Sequence, residues 1–183
     1  MSIFADHKIH VTIEEALPED ALGITTVQKV TWIDTYPNEQ YGITTQDILS
    51  KNFDDPKRME RWRKVIEENG DEKVWVAKEE NGLIGFCSAM REQVHNRIRA
   101  VYVKPEFQHM GIGSMLMQKA CFWLGREKDV MLSVATYNRN AITFYEKLGF
   151  QQQGEVIPRS LPSGKFIPEI EMRKPGVTLT PPP

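Results

Sequence analysis

The chain has 183 residues, 40% of them apolar, enough to bury a sizeable core without dividing into two units. Its 23 basic and 25 acidic side chains nearly cancel, which argues against a broad nucleic-acid footprint, and no run of about 18 apolar residues is present to cross a membrane. The N-terminus lacks the basic, apolar, small-residue order of a secretory signal, so a cytoplasmic location is expected.

Residues 7–14 alternate apolar and polar side chains, with Ile9, Val11 and Ile13 in phase, and read as a first strand. Pro18, Glu19 and Asp20 open a helix that carries Ala21, Ile24, Val27 and Trp32 and stops at Tyr36 and Pro37, where the imino acid has no N–H to give. Residues 45–70 are helical again, interrupted near Asp54, Asp55 and Pro56, with Met59, Trp62, Val65 and Ile66 as an apolar stripe on the later part. Residues 73–78 and 83–91 read as strands joined across Glu80, Asn81 and Gly82, a hairpin signal. A strand over residues 98–103 runs into a glycine-bearing turn and a helix, then come a strand at Met131 and a helix from Asn138. Two last strands, residues 151–157 and 166–173, flank a turn at Pro162, Ser163 and Gly164, and residues 175–183 read as a disordered tail. Cys87 and Cys121 fall in a strand and a helix, where buried free thiols are expected rather than a disulfide.

The turn after Val103 is the first chemical signal. Gly111 and Gly113 let a backbone approach an anion with no Cβ in the way, and the unpaired N–H groups of the helix start add donors and the positive end of a dipole. Leu116 stands where a dinucleotide-binding turn would have its third glycine or alanine, and no Gly-Lys-Ser/Thr follows. A phosphate-bearing ligand of another kind is therefore expected. The second signal lies about thirty residues on, where Asn138, Asn140, Ala141, Phe144, Tyr145, Leu148, Gly149 and Phe150 form N-x-N-A-x-x-F-Y-x-x-L-G-F. Asn138 suits a helix N-cap, and Gly149 suits the residue just past the helix end.

Together, Q-x-x-G-x-G and this segment resemble the acetyl-coenzyme-A-binding core of the GCN5-related N-acetyltransferase (GNAT) superfamily, most sharply over residues 98–150. The resemblance implies an α+β fold, a mostly antiparallel sheet of six to seven strands flanked by helices, within one domain spanning residues 7–174. It implies acetyl-coenzyme A (acetyl-CoA) as donor, with backbone groups of Val101 and Val103 along the pantetheine arm. Gln108, His109, Met110, Gly111, Ile112, Gly113 and Ser114 would hold the diphosphate, while Asn138 and Asn140 would fix the pantetheine from the other side. Phe144 is read equally as cofactor contact and as core.

Tyr145 is the expected acid for the departing thiolate, and the N–H near Val103 the donor to the developing oxyanion. The glutamate that many relatives carry on the strand entering the turn is missing, since the stretch reads Arg97, Ile98, Arg99, Ala100. Glu92, His95, Glu169 and Glu171 are the remaining candidates for the base. Trp32 and Tyr36, with Asp34 between them, lie where relatives cover the acceptor, Trp32 equally suited to the core and Tyr36 better placed to be exposed. The implied reaction is direct attack of a primary amine in a ternary complex, the amine belonging to a small molecule such as a polyamine. A protein lysine or N-terminal acceptor and a non-catalytic acyl-CoA sensor are the alternatives. A homodimer is a mild expectation from the superfamily, and no metal is expected: His7 and His10 would fall on opposite faces of a strand.

Overall fold

The computed structural model describes residues 10–177; residues 7–9 of the expected first strand, His7 among them, and residues 178–183 of the expected tail lie outside the described residues. Strand β1 (Thr12–Glu15) leads through a 3-10 turn at Pro18–Asp20 into α1 (Ala21–Thr35), followed by α2 (Thr45–Leu49) and α3 (Pro56–Glu68). The interruption expected near Pro56 is real, and its cause is local. Thr44 and Asp47 cap α2 reciprocally, at 3.2 and 2.8 Å, while Asp55 caps α3 by accepting from the Lys57 N–H and Pro56 fills its first turn.

Next come β2 (Glu72–Glu79), β3 (Gly82–Met90), β4 (Asn96–Val103), α4 (Ile112–Leu124), β5 (Val130–Ala135), α5 (Arg139–Lys147), β6 (Gln151–Ser160) and β7 (Phe166–Lys174). They build one seven-stranded sheet in the order β1-β2-β3-β4-β5-β7-β6. Every neighbouring pair is antiparallel except β4 and β5. Four boundaries differ from expectation, the first being that β1 begins only at Thr12, so that His10 and Val11 precede it. Strand β6 continues past Pro158 to Ser160, because Pro158 sits on the last strand of the sheet, where its missing N–H breaks no ladder. Strand β4 starts earlier, at Asn96. The beginning of the expected tail is docked: the Gly176 N–H donates to Asp129 Oδ1 at 2.8 Å and the Val177 N–H to the Arg126 carbonyl at 2.6 Å.

A bulge at Arg99 shapes the sheet's centre. Ser88 faces Ala100 and Ala89 faces Ile98, so Arg99 has no partner on β3. One extra residue swaps the faces: Ile98 packs with α4, whereas Ala100 packs with α1 and α3. It also bends β4 away from β5. The two pair only at Asn96 with Val130 and Arg97 with Met131, then part.

Helices α4 and α5 cover one face around Leu116, Ile142 and Leu132, and α1 and α3 cover the other around Ile24, Trp62 and Phe86. A third cluster joins the end of α1, α2 and the β6–β7 turn through Trp32, Ile48, Leu161 and Ile167. Phe86 is fully buried, edge-on to Trp62 at 5.5 Å and tilted against Tyr102 at 5.6 Å. Phe86→Ala is expected to cost about 3–5 kcal/mol in denaturant unfolding, since the rigid sheet beneath cannot close the void. No helix among the described residues is long and apolar enough to cross a membrane.

Candidate active site

The parting of β4 from β5 opens a cleft of about 990 Å³. Along its β4 wall the backbone is unpaired, for a reason that follows from alternation. The Lys104 N–H donates to the Ile84 carbonyl of β3 at 2.9 Å, so the peptide groups of Val101 and Val103, out of phase with Lys104, turn toward the gap. The Val103 carbonyl is already taken by Gln108 Nε2 at 3.1 Å, which leaves the Val103 N–H open.

The strand then enters the turn expected from the two glycines. The Gln108 N–H is engaged by the Pro105 carbonyl at 3.2 Å, and the first bond of α4 runs from the Met115 N–H to the Gly111 carbonyl at 3.1 Å. Between them, the N–H groups of His109, Met110, Gly111, Ile112, Gly113 and Ser114 have no backbone acceptor among the described residues. Left-handed conformations at His109 (φ 61°) and Gly111 (φ 81°) curl this run into a concave row of donors. Gly113 is small for a different reason: a Cβ there would stand 3.4 Å from Phe144 Cζ, at the wall of the cleft. Gln108, His109, Gly111, Gly113 and Ser114 border the cleft; Met110 points outward and Ile112 is buried in the core, so those two offer only backbone.

The far wall comes from α5. Asn138 caps it, accepting from the Ala141 N–H at 3.1 Å, and both Asn138 and Asn140 border the cleft. Phe144 borders the cleft and packs on the core. Tyr145 also borders the cleft while lying 9% exposed. Burial pushes its phenol well above the ordinary value, and the neighbouring Tyr102 and Cys87 push the same way. Cys87 is itself fully buried and driven up by burial, so it is an inert thiol, and neither Cys87 nor Cys121 is in a disulfide.

None of the four candidate bases borders the cleft. Glu169 is buried and paired to Arg159 at 2.9 Å, Glu171 is paired to Arg97 at 3.0 Å, and Glu92 and His95 face each other at 3.9 Å. Among the described residues, the carboxylate that does border it is Asp34, exposed on α1. Tyr36 is buried, not exposed: it ends α1 against Trp32, ring centroids 4.3 Å apart, and its carbonyl accepts from Tyr137 Oη at 2.8 Å.

Tyr102 and Arg159 were not singled out from sequence, and both border the cleft. Tyr102 hides in an ordinary strand alternation. Arg159 follows a proline that reads as a strand end. Burial raises the phenols of Tyr36 and Tyr102, which lie close enough to act on one another.

Residues 70–152 match the acetyltransferase (GNAT) domain family. The chain is 24% identical over 131 residues to the spermidine N(1)-acetyltransferase of Vibrio cholerae, covering 66% of this chain and 76% of that protein. It is 29% identical over 115 residues to an uncharacterized N-acetyltransferase of Methanocaldococcus jannaschii, covering 57% of this chain and only 51%, about half, of that relative. In three dimensions it is similar to the PaiA N-acetyltransferase of Thermoplasma acidophilum, solved in complex with coenzyme A, at a TM-score of 0.69 and 22% identity over 91% of this chain and 99% of that one. The GNAT acetyltransferase domain thus matches residues 70–152, the segment that holds the bulged strand, the row of free N–H groups and the Tyr145 helix.

Proposed function

We propose that this protein is an N-acetyltransferase that moves the acetyl group of acetyl-CoA to the primary amine of a small molecule. The observation that carries this reading is the split between β4 and β5, which ends on a row of free N–H groups and has a buried phenol across from it. The names of the Vibrio cholerae relative and of the coenzyme-A-bound neighbour support it.

In this mechanism the donor supplies an activated thioester, and the residues of the chain do the rest. The donor row from His109 to Ser114 binds the diphosphate, and the open edge at Val101 and Val103 pairs with the pantetheine amides as an added strand would. Asn138 and Asn140 close over the arm from α5. As the amine nitrogen bonds to the carbonyl carbon, the Val103 N–H steadies the charge gathering on oxygen. The carbon–sulfur bond breaks, and Tyr145 gives its phenolic proton to the sulfur and regains one from solvent through the cleft once the products leave. The proton lost by the amine passes through solvent to Asp34 at the cleft rim.

Asp34→Asn is accordingly expected to lower kcat/KM on the order of tenfold at pH 7. Part of the loss should return by pH 9, where more of the amine is already free. An equal loss at both pH values would remove Asp34 from the proton path. The reading as a whole is tested by calorimetric titration with acetyl-CoA and by thiol release on adding amines or peptides. Binding with no thiol release on any acceptor would make the protein a sensor, and release on peptides alone would make it a protein acetyltransferase.

A further inference from the structure

Beyond the donor site, the cleft runs to a second wall made by the end of α1, Tyr36, Tyr102 of β4 and Arg159 of β6. That wall is rich in donors and poor in acceptors. Arg159 borders the cleft with its guanidinium carbon 5.2 Å from the Trp32 ring centroid, and Lys51, which does not border the cleft, lies behind it with Nζ 4.5 Å from the same centroid. The one carboxylate in the group is Glu169, which is buried, does not border the cleft, and holds Arg159 at 2.9 Å. Lys51 has no ion pair among the described residues. Burial lowers its pKa to about 8, and the nearby Arg159 and Arg58 push the same way, as expected where positive charge is in excess. The Tyr36 and Tyr102 hydroxyls sit beside Arg159.

Taking the acetyltransferase reading as its base, we infer that the acceptor is an amine that also carries a carboxylate, and that Arg159, backed by Glu169, is the residue that seats this carboxylate. A guanidinium offers paired N–H donors to a carboxylate, and Glu169 fixes its orientation from behind. A polyamine would bring further positive charge against Arg159 and Lys51, and like charges repel. Asp34, at the rim, is the single carboxylate bordering the cleft among the described residues, against Arg97, Arg99, Arg139, Lys147 and Arg159. Arg97 is paired to Glu171, Arg99 to Glu72 and Arg159 to Glu169; Arg159 gives only Nη1 to Glu169, so its remaining N–H groups are left for a ligand in the cleft it borders. The wall therefore selects against polycations and for a zwitterionic or anionic amine.

The test compares amino acids with their decarboxylated amines, lysine with cadaverine and ornithine with putrescine, as acceptors in a thiol-release assay. The wild-type protein should favour the carboxylated member of each pair in kcat/KM by about tenfold or more. Arg159→Gln should reduce that ratio at least tenfold, and Arg159→Lys should keep part of it. Because Arg159→Gln alone strands a buried Glu169, the double variant Arg159→Gln with Glu169→Gln removes both charges together and should lose the same preference. A wild-type preference for the diamines, or a ratio unmoved by these variants, overturns the proposal while leaving an acetyltransferase intact. If no acceptor releases thiol, the acetyltransferase reading fails instead. Calorimetry of lysine on the coenzyme-A-loaded protein then decides the seat: binding lost in the double variant supports it, and no binding to the wild type overturns it.

Discussion

Tyr145→Phe is expected to cut kcat on the order of tenfold or more while leaving the Kd for acetyl-CoA within about twofold. The split between the two parameters follows from where the ring sits. Phe144 and Phe150 lie beside Tyr145 at 5.2 and 5.9 Å, so the ring is a packed piece of the core, and phenylalanine preserves that packing. What is lost is the single O–H at the cleft. Burial makes this phenol a weaker acid than in water, with Tyr102 and Cys87 adding to the effect. The same dry surroundings make a thiolate a stronger base, so the two shifts run in the same direction and the proton transfer stays close to balanced. There is a consequence for the pH profile. A group needed in its protonated form, with its pKa raised, is lost only above its ordinary value of about 10, so kcat should not fall between pH 8 and 10 on account of Tyr145. Unchanged kcat in the phenylalanine variant, measured by single-turnover thiol release, would remove Tyr145 from the chemistry.

Gly113→Val is expected to weaken coenzyme A binding on the order of a hundredfold with little loss of thermal stability. The first Cβ already stands 3.4 Å from Phe144 Cζ, and two more methyl groups must go either into the Phe144 ring or into the mouth of the donor row. Either choice displaces an anion from the free N–H groups, while α4 itself gains a residue of better helix propensity than glycine. Gly111 gives the converse. A Cβ there would meet nothing within 4 Å, but its backbone holds φ at 81°, so Gly111→Ala should cost about 1–2 kcal/mol in stability, from strain rather than from a blocked site. Calorimetry and thermal melts on the two variants separate the effects, and full affinity in Gly113→Val would place the diphosphate elsewhere.

Much of the architecture was legible from local pattern. The interruption at Pro56, the hairpin through Gly82, the glycine turn and the Asn138 cap are all set by residues within a few positions of one another. The run of free N–H groups begins at His109, one residue after Gln108, because the Gln108 amide closes a turn onto Pro105 and its side chain bonds to the Val103 carbonyl. The second wall of the cleft was legible only in part: the resemblance pointed to Trp32, Tyr36 and Glu169, but Lys51 after α2, Tyr102 on β4 and Arg159 on β6 join them with no spacing in the chain that marks them as neighbours.

By itself, then, the sequence determined the elements, the glycine turn after β4 and the phenol on its helix, because backbone geometry and hydrophobic period act over a few residues. Only the tertiary structure decided that one unpaired residue at Arg99 would part β4 from β5, that Glu169 and Glu171 would be spent on arginines, and that Tyr36 would be buried. Those outcomes depend on which strands meet, and on the free energy of burying charges beside one another, which no local stretch of chain can set.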